Sequence, residues 1–258
     1  MSRYDVTSEP SAAQIAENYR EVLGRIERAL AESTSVRTTN HSVRLIAVSK
    51  TKSPACLQAL YDCGHREFGE NYVQEIVAKA PVLPDDIQWH FIGHLQSNKV
   101  KELLSTVKGL QLVQSIDTIS LAQKLKTVAR RTATGRPLDV YVQVNTSGEE
   151  TKSVVEPGEA AVKLAQHIVS SCPHLRLRGL MTIGMPDYTS RPENFECLLR
   201  CRDEIARSLD LNPETLALSM GMSGDYENAI RMGATVVRVG TGLFGQRYYP
   251  PKEGGAVQ

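Results

Sequence analysis

No stretch of this 258-residue sequence is apolar for long enough to cross a membrane. The first ten residues, MSRYDVTSEP, lack the apolar core that a secretory signal requires. An excess of one charge is missing too: 30 Lys and Arg stand against 29 Asp and Glu, a formal net charge of +1. That balance marks neither a nucleic-acid-binding nor a membrane-binding surface. Cysteines number five, an odd count without framework spacing, which argues against a disulfide scaffold and for a reducing, cytoplasmic setting. Cys56 and Cys63, like Cys197 and Cys201, fall at helical spacing and read as buried or inert thiols. The six histidines are scattered, and His90 and His94 straddle a strand end, so no metal site is expected. Asp117, Asp139 and Glu149 show no paired-carboxylate spacing, and no Ser-His-Asp arrangement stands out.

The remaining composition, 41% hydrophobic and 23% charged, is that of a soluble globular protein. Ser11 to Glu32 reads as a helix: Ser11 and Gln14 make a capping-box pattern, and Ile15, Tyr19, Val22, Ile26 and Leu30 form one apolar stripe. After a polar insert at 33–42 comes VRLIAVS, a nearly continuous apolar strand ending at Lys50. Ser53-Pro54 then opens a helix, serine as cap and proline at the first helical position. The strand–helix unit recurs through REFGE, IQWHFIG, LQLVQSI, LDVYVQVN, LRLRGLMTI, the region of Leu216 to Met220, and ATVVRV. Eight strands result, each but the last followed by a helix, with the opening helix closing the ring. Strict alternation means parallel strands, and eight of them in about 200 residues predict a single α/β domain, a (β/α)8 TIM barrel over 1–258 with an irregular tail at 246–258.

The stretch from Ser219 to Gly245, SMGMSGDYENAIRMGATVVRVGTGLFG, is the densest in function-bearing signals. Gly221, Ser223 and Gly224 allow a tight turn, Ser223 is placed to cap the short helix DYENAIRM, and Gly233 stops it. Backbone donors and hydroxyls gathered at such turns suit a phosphate. Gly240-Thr241-Gly242-Leu243-Phe244-Gly245 also fits G-x-G-x-x-G after a strand, but the dinucleotide fingerprint needs a further helix, strand and acidic residue. Only Gln246 to Gln258 follow, so a phosphate turn at the end of the last barrel strand is the surviving reading.

In such barrels ligands bind at the C-terminal strand ends. Lys50 ends the first strand, where a buried amine loses its proton readily and can form a Schiff base. The plain alternative is a lysine snorkelling to solvent. Arg238, within VVRVG, must be paired or belong to a site, the alternative being a bridge to a neighbouring carboxylate across the barrel.

Read together, Lys50 in AVSK, FGENYVQE, WHFIGHLQSNK, GLMTIG and SMGMS…VRVGTGLFG resemble the pyridoxal 5′-phosphate homeostasis protein family, itself similar to the N-terminal barrel of alanine racemase (fold type III). The resemblance runs from about Val43 to Gly245. It implies that pyridoxal phosphate is held as an internal aldimine on Lys50, with Asn71 and Met181 lining the cofactor. It assigns Ser219, Ser223, Gly240 and Thr241 to the phosphate site and sets Arg238 against the pyridine nitrogen. The implied role is cofactor homeostasis or carriage without established turnover, with the cofactor passed to apoenzymes and a monomer expected. Arginine can only donate, so it keeps that nitrogen unprotonated and the electron sink weak. Racemases with the same arginine use a second acid–base residue from another domain, for which no sequence remains here. An amino-acid racemase, or a lysine Schiff-base aldolase on the same barrel, is the alternative.

Overall fold

A computed structural model of the chain describes residues 9–33, 42–131, 136–148, 154–184 and 191–246. Most of the 33–42 insert, Glu149 and nearly all of the 246–258 tail lie outside the described residues.

Eight parallel strands close into a barrel in sequence order. They are β1 (Arg44–Val48), β2 (Glu67–Glu70), β3 (Gln88–Phe91), β4 (Leu110–Ile116), β5 (Leu138–Gln143), β6 (Leu175–Met181), β7 (Ala217–Ser219) and β8 (Val236–Val239). Closure comes from β1 pairing with β8, in a register that sets Ile46 beside Arg238. The helices are α1 (Ala12–Glu32), α2 (Pro54–Asp62), α3 (Val73–Lys79), α4 (Val100–Thr106), α5 (Ile119–Ala129), α6 (Glu159–Ser171), α7 (Pro192–Ser208), α8 (Tyr226–Arg231) and α9 (Thr241–Phe244).

Local chemistry accounts for much of this. The Ser11 hydroxyl accepts the Gln14 amide at 3.2 Å, and α1 buries Ile15, Val22, Ile26 and Ala29 while packing on α2, α8 and α9. Period-two alternation on the strands splits the core in two. Outward-facing aliphatic side chains pack under the helices. A small separate cluster of Ile46, Leu112, Tyr141, Met181 and Val236 fills the barrel interior.

Three local expectations need correction. Ser223 does not cap α8, whose N-cap is Asp225 without a side-chain cap. Asp225 instead accepts the Met222 amide at 2.6 Å, which folds 222–225 into a turn and leaves the Ser223 hydroxyl for the Gly240 and Gly242 amides. Ser53 does hold the N-cap position of α2 with Pro54 after it, but its hydroxyl donates to Glu9 and makes no cap bond to the helix. Finally, β8 is followed by a helix after all: the Gly240 carbonyl accepts the Leu243 and Phe244 amides, and burial of those two side chains stabilises the single turn of α9.

Candidate cofactor-binding site

A cleft of about 540 Å³ opens at the C-terminal strand ends. Its walls are Val48, Lys50, Asn71, Ile92, Ile183, Met222, Ser223, Gly224, Arg238, Gly240, Thr241 and Gln246. Six of the eight residues expected from sequence therefore meet in one place: Lys50, Asn71, Ser223, Arg238, Gly240 and Thr241.

Ser219 and Met181 do not border the cleft. Ser219 is fully buried behind Arg238, accepting from that guanidinium at 2.7 Å and donating to the Gln114 side-chain oxygen at 2.6 Å. Met181 belongs to the apolar plug of the barrel interior. Conversely, Met222, Ile92, Ile183 and Gln246 line the cleft without having been singled out. Met222 stood in plain view inside SMGMS, whereas Ile92 and Ile183 follow their strands as ordinary apolar residues.

Lys50 sits just past β1, partly buried. Asn71 follows β2, and its side-chain oxygen is buried without a hydrogen-bond partner. The close approach of the β2 and β3 ends depends on Gly93, because a Cβ there would lie 2.0 Å from the Asn71 carbonyl oxygen. Opposite, the turns at 221–224 and 240–242 face each other, joined where the Ser223 hydroxyl accepts the Gly240 and Gly242 amides at 3.2 and 3.4 Å. Gly221 carries φ +91°, and a Cβ there would approach the Ala229 Cβ to 2.6 Å, so the first turn requires glycine.

Arg238 is fixed from below and from the side, donating to Ser219 and, at 2.6 Å, to the Thr182 carbonyl. Among the described residues its hydrogen-bond partners are these two neutral groups, not the carboxylate bridge weighed as the alternative. Burial lowers its pKa to about 10, with Asp225 opposing the shift, so the guanidinium remains charged at neutral pH. The polar chain continues through the barrel. Gln114 Nε2 donates to His90 Nδ1 at 3.3 Å, and His90 Nε2 stands 3.3 Å from Glu67, which Arg44 grips with two nitrogens. His90 Nε2 nevertheless lacks an aligned hydrogen bond, and burial lowers the pKa of its ring. His90 lies within β3 and His94 beyond it, and no group of three or more His, Cys, Asp or Glu among the described residues could hold a metal.

An eight-stranded parallel barrel with a lysine ending its first strand and two donor-bearing turns at its last defines the class. Residues 14–248 match the family described as alanine racemase, N-terminal domain. The chain belongs to the pyridoxal phosphate homeostasis protein family. A protein of that name from Bos taurus is 43% identical over 217 residues, covering 81% of this chain and 79% of its own. Another from Pseudomonas aeruginosa is 44% identical over 236 residues, covering 91% of this chain and 96% of its own. The structure of PipY from Synechococcus elongatus with pyridoxal phosphate bound superposes with a TM-score of 0.64 at 32% identity, covering 84% of this chain and 100% of PipY. Among the described residues no helix is long and apolar enough to cross a membrane.

Proposed function

We propose that this protein binds pyridoxal 5′-phosphate in the strand-end cleft and serves its intracellular homeostasis, Lys50 forming the covalent link. The observation that carries this is the meeting of Lys50 and Arg238 with the two donor-bearing turns around one cleft. The fit is chemical as well as spatial. A cleft of about 540 Å³ holds a small aromatic phosphate, the charged Arg238 guanidinium suits an anion, and the unpartnered Asn71 oxygen awaits a donor.

When bound, the cofactor supplies an electron sink for amino-acid chemistry, strongest with its ring nitrogen protonated. Arg238 presents only donors to whatever faces it, so a ring nitrogen there stays an acceptor. Ser223 and Thr241 hold the phosphate at the paired turns, and Gly240 braces the Ser223 hydroxyl with its amide. Ser219 acts from behind by fixing Arg238, and Met181 packs the floor beneath. The relatives that match most of the chain are named homeostasis proteins, which supports carriage over racemase or aldolase turnover. In this reading the protein is a cytoplasmic monomer of one barrel domain that passes its cofactor to apoenzymes. The five free cysteines are consistent with a reducing compartment.

Incubation with pyridoxal phosphate should turn the protein yellow, and borohydride reduction with peptide mapping should place the adduct on Lys50. A protein that stays colourless overturns the reading. Lys50→Ala should lose the adduct while still binding the phosphate noncovalently.

A further inference from the structure

Lys79 is a fully buried lysine on α3 that the cleft does not use. Its ammonium donates to Glu70 at 2.7 Å, to Glu75 at 2.6 Å and to the Ser49 backbone carbonyl at 2.9 Å. The same Glu75 oxygen accepts the Thr51 amide at 2.8 Å. Glu70 in turn accepts the Ser49 hydroxyl at 2.6 Å. Buried ions of this kind are costly to desolvate and gain little net stability from pairing, so their placement invites a role in geometry.

Ser49 and Thr51 are the two residues flanking Lys50. The Ser49 carbonyl also accepts the Lys52 amide at 3.1 Å, which makes 49–52 a β-turn with Lys50 at its second position. Thr51, the third residue, has φ +65°, a conformation that a β-branched side chain adopts only under constraint. Glycine or asparagine is the ordinary occupant of that position. The constraint visible here is Glu75, which takes the Thr51 N–H, while Lys79 holds the carbonyl on the other side.

The geometry points to Glu75 and Lys79 as positioning residues that grip the backbone on both sides of Lys50 and aim its amine into the cleft. This rests on the reading of Lys50 as the attachment residue. An amine swung away by a relaxed turn would still reach solvent, and the phosphate turns on the far wall would be untouched. The clamp therefore governs covalent attachment separately from noncovalent affinity.

Glu75→Ala is the informative variant, because it leaves Lys79 paired one-to-one with Glu70 and no charge stranded. Two measurements test it. Hydrogen exchange on the protein before cofactor is added should show a protected Thr51 amide in wild type that loses protection in Glu75→Ala. The rate of adduct formation on Lys50 with pyridoxal phosphate should fall by roughly 10- to 100-fold, the scale for a misaimed reacting group. Noncovalent affinity, measured in the Lys50→Ala background with and without Glu75→Ala, should stay unchanged. Glu75→Gln keeps an acceptor oxygen and should restore both protection and rate.

Equal loss of covalent and noncovalent binding would reduce Glu75 to general support and overturn the proposal. So would a folded Glu75→Ala that attaches cofactor at the wild-type rate. Rapid exchange of Thr51 in the wild type would overturn the clamp without any variant. A protected Thr51 with no wild-type adduct on Lys50 would instead bring down the functional reading, and the positioning role with it.

Discussion

Arg238 donates to the Ser219 hydroxyl at 2.7 Å, and both side chains are buried. The Ser219 hydroxyl in turn donates a hydrogen bond to the side-chain oxygen of Gln114, 105 residues earlier in the chain. One hydroxyl thus satisfies a buried cation and a buried amide oxygen. Ser219→Ala should leave the Gln114 oxygen unsatisfied and Arg238 one acceptor short, at a cost of about 1–3 kcal/mol. Urea unfolding of the two proteins measures this, and coincident curves would show that the hydroxyl does not support the arginine.

Arg238 should set the electronics of the bound cofactor. Arg238→Glu places a carboxylate beside the Thr182 carbonyl, an acceptor facing an acceptor, so the variant is expected to be less stable until the cofactor's ring nitrogen brings a proton. Once loaded, it should show shifted visible absorption. It should also exchange the α-proton of an added amino acid faster than wild type, followed by NMR in D2O at matched occupancy. Unchanged spectra and exchange in a folded, loaded variant would free Arg238 of that role.

Ser223 joins the two turns by accepting from Gly240 and Gly242, which leaves its own proton for a phosphate oxygen. A hydrogen bond to a charged group is worth about 1.5–3 kcal/mol, so Ser223→Ala should weaken pyridoxal phosphate roughly 10-fold or more. Unphosphorylated pyridoxal should be affected far less. Titration of both ligands decides it: parallel weakening would mean that Ser223 shapes the turn without touching phosphate.

Acid should act on the far end of the polar chain. Burial alone would raise the Glu67 pKa, but hydrogen bonding to His90 and Arg44 outweighs it and holds the carboxyl at about 2, against its ordinary 4.5. The Arg44 contacts at 2.7 and 3.1 Å carry this better than His90, whose facing nitrogen is not aligned. A depressed carboxyl stabilises the fold fully above its unfolded pKa, and that share is lost as pH falls from about 4.5 toward 2. Stability by urea unfolding should therefore drop more steeply across this window in wild type than in Glu67→Gln. Equal slopes would place the acid sensitivity elsewhere.

The barrel was legible because its signals are local. Apolar runs of strand length, breakers between them and amphipathic helical stripes each depend on a few neighbouring residues, so eight strands and the helices between them could be counted directly. Lys50 and Arg238 declared themselves as charges at the ends of apolar strands, where an uncommitted charge is costly. Even the pairing of Glu75 with Lys79 has helical spacing that sequence could show.

What sequence alone determined, then, is the fold class, the end of the barrel where the cleft opens, and half of the residues that line it. Tertiary structure decided how they divide the work: that Ser219 stands behind Arg238, that Met181 belongs to the interior plug, that Ser223 serves the β8 turn rather than α8, and that a buried ion cluster grips both sides of Lys50. Hydrophobic periodicity is set by neighbours in the chain, whereas a polar atom's partner is set by strand register and barrel closure, which bring together residues a hundred positions apart.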